Sequence, residues 1–284
     1  MHLSFFTDEA HDNFAEALKL AEKWGLKWAE IRTIDGVNVM DLPDEPILRA
    51  KKLLDDHGIS VSAVATPFLK CRLPGTSPAS SGPMHGAREL SYEDHLKMIP
   101  RGVELAQIFG TNRIRLFSFW RVEHPDFWKY MNEAVAAALE AAEGTGVVPC
   151  LENEGACCIG TSAELAEAAG RLTDPRLKLI WDPGNSTGHG MVPRDEDWPA
   201  ISARLGLVHV KDSRYNAALG KREPTPPGEG ETNYRKELAR IASAYDGPIT
   251  LEPHYRPGGD MTEGMRQCVE AIRRLADELQ LELK

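Results

Sequence analysis

The sequence predicts an α/β protein of the (β/α)8 TIM-barrel type, built as a single domain over residues 1–284. Eight short runs with the apolar character of β-strands recur along the chain, and patterns typical of helices lie between them. Eight such units in a chain of this length match a closed parallel barrel. The alternative is a doubly wound open sheet. The sequence disfavours it, because Thr7, Asp8 and Glu9 follow the first run where that fold has a glycine-rich phosphate loop.

The eight predicted strands are apolar runs bounded by polar or turn-forming residues. They are LSFFT (3–7), WAEIR (28–32), ISVSAVAT (59–66), RIRLFSF (113–119), VVPCLE (147–152), LKLIWD (177–182), LVHVK (207–211) and ITLE (249–252).

The predicted helices are supported by their start and stop signals. Gly25 ends the first helical pattern, and the second begins with Pro46 and ends before Gly58. Thr161 and Glu164 have the spacing of a capping box, which predicts a further helix start. The other helical patterns are assigned from apolar periodicity. Besides the helix that starts at the capping box, the patterns lie at 12–24, 46–57, 127–143, 197–204, 234–245 and 261–279.

The composition and net charge argue against several classes of protein. The chain has 33 basic and 43 acidic residues and a formal net charge of −10, which argues against binding of nucleic acid. Its five cysteines lack paired Cys-x-x-Cys spacing, which indicates a reducing compartment rather than a disulfide framework. The opening MHLSFFTDEAHD does not resemble a signal peptide, and no apolar run reaches the roughly 18 residues of a membrane span. We therefore expect a cytoplasmic protein without membrane association.

Polar residues end four consecutive predicted strands and share one orientation. Along a barrel strand, side chains face the surrounding helices and the barrel axis alternately. If the apolar residues of the last four strands face the helices, their polar neighbours turn inward. These inward residues are Glu152, Asp182, His209 and Glu252. All four lie at the carboxyl-terminal ends of their strands, where the active sites of such barrels are found.

Three carboxylates and an imidazole at one barrel mouth indicate a divalent metal site. Without a positive charge among them, the carboxylates would repel one another. Three oxygen donors and one nitrogen donor suit Mn²⁺ foremost, with Mg²⁺, Co²⁺ or Zn²⁺ as alternatives.

Four strand-end segments resemble those of the xylose-isomerase-like TIM-barrel superfamily, the sugar phosphate isomerase/epimerase family. They are LENEG (151–155), WDPGN (181–185), HVKD (209–212) and TLEP (250–253). In the keto-sugar 3-epimerases of this superfamily, a Glu, an Asp, a His and a Glu on strands five to eight hold the metal. The resemblance therefore implies the same ligand set of Glu152, Asp182, His209 and Glu252. Glu154 shares the orientation of Glu152, and we prefer Glu152 because it ends the apolar run.

The resemblance implies a metal-dependent sugar isomerase or epimerase that acts on a small keto-sugar through an enediolate. A divalent ion acidifies the C–H next to a carbonyl, and Glu152 and Glu252 are the predicted catalytic bases. Lys211 is predicted to neutralise the enediolate or to bind a phosphate; the alternative is an ion pair with a neighbouring carboxylate. The same site also permits a lyase or hydratase acting on a keto-sugar, keto-glycoside or inosose.

Further residues near the predicted mouth are candidates for substrate binding. Asn185 follows Asp182 in a Pro-Gly turn and has either a sugar-binding or a turn-forming role. The other substrate-binding candidates are His254, Trp120 and Lys70, and Phe68 is a further aromatic candidate.

Two inward-facing charged residues and one long loop have predicted roles outside the chemistry of the site. Glu30 and Arg115 have inward parity, and we expect them to form a buried ion pair that stabilises the barrel. The loop TPPGEGE (225–231) is long enough to act as a lid, with an exposed connection as the alternative.

Two other functions, a DNA-repair endonuclease and a non-catalytic binding protein, fit the sequence less well than a sugar enzyme. A DNA-repair endonuclease of the same superfamily needs many histidines around several metals, and strands two and three end without one. A barrel that has lost catalysis and only binds a ligand is disfavoured by the intact ligand set. We expect a small-molecule sugar as the binding partner. The sequence is compatible with a homo-oligomer as well as with a monomer.

Overall fold

Eight parallel strands close into a barrel in the computed structural model, which describes residues 1–78 and 81–284. The barrel strands are β1 (His2–Phe6), β2 (Trp28–Ile31), β3 (Ser60–Phe68), β4 (Arg113–Leu116), β5 (Val148–Glu152), β6 (Lys178–Trp181), β7 (Leu205–Val210) and β8 (Pro248–Leu251). Each strand pairs with the next along the chain, and β8 pairs with β1 to close the ring. The predicted single-domain TIM-barrel fold is confirmed, and each predicted strand lies at its expected place.

Helices surround the barrel as expected. They are α1 (Phe14–Trp24), α2 (Asp44–Asp56), α3 (Tyr92–Phe109), α4 (Phe127–Ala141), α5 (Ser162–Arg171), α6 (Trp198–Ser202), α7 (Tyr234–Ala244) and α8 (Met261–Glu278). Gly25 ends α1 in the left-handed conformation, at a φ of 68°. Thr161 and Glu164 form the predicted capping box at the start of α5.

One helix of the structure is not predicted by the sequence patterns. These patterns predict no helix between the third and fourth strands, where the structure has α3 over Tyr92–Phe109. Pro100 lies inside this helix, and a proline removes a backbone hydrogen-bond donor and normally ends a helical pattern. Packing against β3 and α4 sustains the helix through that interruption.

The loops at the carboxyl-terminal ends of the strands carry short elements of their own. Short helices follow β1 (Thr7–Ala10) and β6 (Pro183–Gly188). Two antiparallel hairpins pair Thr33–Ile34 with Val37–Asn38 and Asp212–Asn216 with Lys221–Thr225. Three 3-10 turns lie at Val39–Asp41, Asp195–Asp197 and Pro257–Gly259.

The core has two apolar layers that follow from the alternation of side chains along each strand. The larger layer packs the outer faces of the strands against the helices, and it contains Leu151, Leu179, Val208 and Leu251. A small inner cluster of Ala63, Cys150, Ile180 and Leu207 fills the barrel axis. Cys150, Ile180 and Leu207 precede Glu152, Asp182 and His209 by two residues, so the inner apolar layer continues into the polar mouth.

None of the helices in the described residues is long and apolar enough to cross a membrane.

Candidate metal centre

The four strand-end residues converge at the mouth of the barrel. Each of Glu152, Asp182, His209 and Glu252 offers a ligand atom, and these atoms all lie within 4.8 Å of one another. All four side chains are buried. The inward orientation inferred from strand alternation therefore places all four residues at one point.

Asp182 is held by two asparagines. Its Oδ1 accepts a hydrogen bond from the backbone N–H of Asn185 at 3.0 Å, and its Oδ2 accepts one from the Asn185 side-chain amide at 3.1 Å. The Asn153 side chain bonds both the N–H and the carbonyl of Asp182, each at 2.8 Å. The same Asn185 amide also donates to the Asn153 carbonyl at 2.7 Å. Asn185, a predicted sugar-binding residue, thus uses its amide N–H groups to orient Asp182.

His209 lies between two carboxylates. Its Nδ1 is 3.0 Å from Glu152, and its Nε2 is 3.1 Å from Glu30. Burial alone would lower the pKa of His209, but Glu30 and Glu152 outweigh it and hold the pKa well above its usual value. An ion that binds at Nδ1 must displace a proton there, while Nε2–H stays on Glu30.

The expected ion pair between Glu30 and Arg115 is wrong. Glu30 pairs instead with His209, and Arg115 donates to Glu152 at 3.2 Å. Both residues have the predicted inward orientation and are buried. Strand parity indicates which residues face the axis, but it does not indicate which of the inward residues are close enough to pair.

Glu252 is bound through both of its oxygens. Its Oε1 accepts a hydrogen bond from Arg32 at 2.5 Å, and its Oε2 accepts one from Lys211 at 3.1 Å. Arg32 also pairs with Asp8 and Glu9, from the short helix after β1. Sequence reasoning missed Arg32, although it follows Glu30 by two residues and so shares its orientation.

Negative charge exceeds fixed positive charge in this network. Within the described residues the mouth contains seven carboxylates and four permanent cations, each in an ion pair with another of these groups or with His209. The carboxylates are Asp8, Glu9, Glu30, Glu152, Glu154, Asp182 and Glu252. The cations are Arg32, Lys70, Arg115 and Lys211. Because unbalanced buried charge is costly, the mouth fits a bound divalent cation.

The donor set also fits such an ion chemically. Three carboxylates and one imidazole, each fixed by a neighbouring hydrogen bond, are ligands that Mn²⁺, Mg²⁺ and Zn²⁺ accept. Glu152, Asp182, His209 and Glu252 would hold it. Glu30 contacts His209 from outside the ligand set, as a carboxylate commonly does where it orients a metal-binding histidine.

A second group at the mouth contains two histidines. His85, His254 and Glu252 also place ligand atoms within 4.8 Å of one another. The rings of His85 and His254 stack with centroids 5.7 Å apart, and His254 Nδ1 is 2.9 Å from Glu9. Burial and Arg32 lower the pKa of His85 to about 2. Because the Arg32 guanidinium is bound to Glu252 here, this group suits a polar oxygen of a ligand better than a second cation.

Residues 82–86 cover the mouth. Gly82 lies against Ala156 and Trp120, and Met84 packs with the cluster that contains Trp120. His85 stacks on His254. The predicted lid 225–231 instead lies against Asp212, which accepts hydrogen bonds from the Gly228 and Gly230 amides. No local sequence pattern indicates this covering segment, because it has no helical or strand periodicity.

The remaining predicted substrate-binding residues lie beside the metal centre. Lys70 is buried 3.8 Å from Glu154, with its ammonium 4.6 Å from the centroid of the Phe117 ring. Trp120 is fully buried, and its indole N–H has no hydrogen-bond partner. Phe68 packs in the outer core beneath α3, which makes it a packing residue.

Comparison with known proteins agrees with this architecture. The model of the family described as xylose isomerase-like TIM barrel matches residues 18–277. No curated protein sequence matches the chain.

Solved structures share the fold over nearly the whole chain. A zinc-bound IolI protein superposes with a TM-score of 0.75 at 16% identity, covering 98% of this chain and 99% of that one. The probable 3-DHS dehydratase AsbF of Bacillus anthracis, involved in petrobactin synthesis, gives a TM-score of 0.72 at 16% identity, covering 96% and 99%. D-Psicose 3-epimerase of Clostridium cellulolyticum H10, solved with D-tagatose, gives 0.67 at 14% identity, covering 99% and 98%.

Identities this low establish the fold alone, whereas the family model covers most of the sequence. The chain belongs to the xylose isomerase-like TIM barrel family.

Proposed function

We propose that the protein is a divalent-metal-dependent isomerase or epimerase that moves a proton at a carbon next to the carbonyl of a small keto-sugar. The observation that carries this proposal is the convergence of Glu152, Asp182, His209 and Glu252 within 4.8 Å at the barrel mouth. Mn²⁺ is the ion we expect first. Zn²⁺ is the alternative that the zinc-bound IolI structure supports.

The two glutamates are placed for proton transfer. Glu152 ends β5, Glu252 follows β8, and three strand positions of the eight-membered ring separate them. In each carboxylate one oxygen is bound by an arginine, Glu152 Oε2 by Arg115 and Glu252 Oε1 by Arg32, and the other oxygen lies within the four-residue set. The bound ion supplies electrophilic polarisation of the substrate carbonyl. One glutamate then removes the proton, and the other returns it from a different side.

The neighbouring groups support this chemistry. Burial alone would raise the pKa of Glu152, but His209 and Arg115 outweigh it and lower the pKa, which keeps the carboxylate ionised. Lys211 places a positive charge beside Glu252, where the developing enediolate needs stabilisation. Residues 82–86 cover the mouth, which favours a reaction site shielded from water.

One observation favours a second candidate, a lyase or hydratase on a keto-sugar, keto-glycoside or inosose. Elimination needs a group that protonates the departing hydroxyl. His254 meets that need, since Glu9 fixes its Nδ1 and its Nε2 lies 4.0 Å from Glu252. The structural similarity to the probable dehydratase AsbF is compatible with this reaction.

The experiment is hydrogen exchange followed by proton NMR in deuterated water. The protein is stripped with chelator, loaded with Mn²⁺, Co²⁺, Mg²⁺ or Zn²⁺ in turn, and incubated with ketoses, keto-sugars and inososes. Metal-dependent deuterium uptake next to the carbonyl, with a new sugar formed, is the expected result. An unsaturated or deoxygenated product would assign the second candidate instead.

Matched variants connect the signal to the site. Glu252→Gln is expected to slow exchange by about 10²–10⁴-fold, because a general base is lost. Glu140→Gln, on the exposed face of α4, is the control and should keep the wild-type rate. A wild-type protein that binds no divalent ion would contradict the proposal.

A further inference from the structure

We infer that Lys211 is the resident counter-cation of the metal centre: its ammonium lies between Asp182 and Glu252, and binding of the divalent ion releases it toward the substrate. The inference rests on the proposed function, because it presumes that the four-residue set binds an ion. Lys211 Nζ is 3.0 Å from Asp182 Oδ2 and 3.1 Å from Glu252 Oε2. Of the four cations in the network described above, it alone bonds two members of that set.

The contacted oxygens are those directed into the set. Asp182 Oδ1 caps the helix that starts at Pro183, which leaves Oδ2 for Lys211. Glu252 Oε1 is bound by Arg32, while Oε2 is the oxygen that lies 4.0 Å from His209 Nδ1. An ammonium at about 3 Å and a metal ion at about 2.1 Å compete for the charge of these oxygens.

The backbone of Lys211 is fixed by Tyr234, whereas its side chain is held at the ammonium by the ion pairs to Asp182 and Glu252. The Tyr234 hydroxyl accepts a hydrogen bond from the Lys211 N–H at 3.0 Å and donates one to its carbonyl at 2.8 Å. Gly184 leaves room for the stem of the side chain, since a Cβ there would lie 2.9 Å from Lys211 Cγ and 2.1 Å from its carbonyl oxygen. Movement is therefore confined to the atoms beyond Cγ, and the released ammonium stays in the mouth.

The positive charge of Lys211 stabilises the metal-free protein and opposes metal binding. In the metal-free protein, Lys211 separates Asp182 from Glu252, so its removal leaves two buried carboxylates facing each other. In the metal-loaded protein, the same ammonium repels the ion, so its removal favours binding. A purely structural ion pair would instead stabilise both states equally. Binding is consequently ordered, with the metal first and the substrate second.

The test compares Lys211→Met with Lys211→Arg in metal binding and thermal unfolding. Mn²⁺ and Zn²⁺ affinities are measured by titration against a chelating dye, and Tm is measured in chelator and in saturating metal. Lys211→Met should bind metal at least about 10-fold more tightly than wild type. Its Tm should fall in chelator and equal the wild-type Tm in saturating metal. Lys211→Arg keeps the charge and should resemble wild type in both measurements.

Lys70→Met is the matched control. This variant removes a second buried ammonium of the mouth, which lies 3.8 Å from Glu154 and bonds none of the four metal-set residues. Its metal affinity should stay within about threefold of wild type. Lys211→Met affinity that is unchanged or weaker would overturn the inference. Wild-type protein that binds neither ion would overturn the proposed function itself.

A measurement on the wild-type protein guards against variants that fail to fold. Acetylation of Lys211 by a lysine-directed reagent is followed by mass spectrometry, with and without saturating Mn²⁺. The metal should raise the Lys211 rate at least threefold, because the ammonium loses its carboxylate partners, while Lys70 keeps its rate. Equal or slower labelling of Lys211 in the loaded protein would contradict release.

Discussion

His209 shows at the residue scale how neighbouring carboxylates hold a single side chain at the candidate metal centre. Its ring contacts Glu152 through Nδ1 and Glu30 through Nε2, and both contacts are buried. A carboxylate can only accept a hydrogen bond, so both ring nitrogens donate here; an ion at Nδ1 would replace the proton shared with Glu152, while Glu30 keeps the proton on Nε2. Glu30 thereby orients His209 without being one of the four candidate ligands.

Replacing Glu30 tests this role. Glu30→Gln is expected to weaken Mn²⁺ or Zn²⁺ binding by about 10–100-fold, because His209 loses the carboxylate that orients it. Competition with a fluorescent chelator measures the change. Glu154→Gln removes a mouth carboxylate that pairs with Lys70 instead, and it should leave the affinity near that of wild type. Equal affinities for wild type and Glu30→Gln would contradict the role.

At the scale of the element, four residues in the loops around the mouth have a left-handed backbone conformation. Leu69 after β3 and Phe119 after β4 have positive φ values of 63° and 62°, and His85 and His254 both have a φ of 48°. Each such residue costs about 1 kcal/mol in an L-amino acid. These positions surround the mouth, and two of them immediately precede Lys70 and Trp120. Strained backbone thus concentrates where side chains are directed toward the candidate site.

Helix α5 provides a prediction for pH dependence. Burial alone would raise the pKa of Glu164, but the hydrogen bonds from Arg121 and from the Gly160 and Thr161 amides outweigh it and lower the pKa to about 2. A lowered folded-state pKa stabilises the protein at pH values above the unfolded pKa, and this stabilisation is lost as the pH falls. Glu164→Ala should therefore cost about 1 kcal/mol at pH 7 and progressively less between pH 4.5 and 2.

Urea unfolding across this pH range measures the difference between wild type and Glu164→Ala. Glu167→Ala, one turn later and paired only with Arg171 on the surface, is the control, with an expected cost below about 0.5 kcal/mol. A cost for Glu164→Ala that stays constant down to pH 2 would show that the carboxylate charge is not what stabilises the helix start.

The whole molecule combines an apolar barrel interior with a charged mouth. Ala63, Cys150, Ile180 and Leu207 form the apolar cluster on the axis. The next inward positions on β5, β6 and β7 carry metal-set residues. The cluster fills the barrel beneath the buried charges, so the site rests on closely packed side chains.

Removing volume from this inner cluster should destabilise the whole barrel. Leu207→Ala is expected to lower the free energy of unfolding by about 2–5 kcal/mol, because it leaves a cavity in a buried layer. Leu219→Ala, at a position that is 57% exposed on the hairpin after β7, should change it by less than about 0.5 kcal/mol. Denaturant unfolding measures both changes, and similar values for the two variants would contradict the inner-layer assignment.

The fold and the converging residues could be predicted because they depend on local patterns. Alternation along a strand determines which side chains face the axis, and in a parallel barrel all strand ends reach the same mouth. For this reason the sequence alone predicts that Glu152, Asp182, His209 and Glu252 converge at the mouth. The capping box at Thr161 and Glu164 is equally local, since both residues belong to one helical turn.

The pairings within the mouth depended on the tertiary structure. Glu30 with His209, Arg32 with Glu252 and His85 with His254 join residues from 169 to 220 positions apart in the chain. Helix α3 likewise persists through Pro100 because of packing that no local pattern records. The sequence by itself determined the barrel and the inward set, because both follow from short periodicities. Only the tertiary structure decided which charges meet, because that depends on distances across the closed ring.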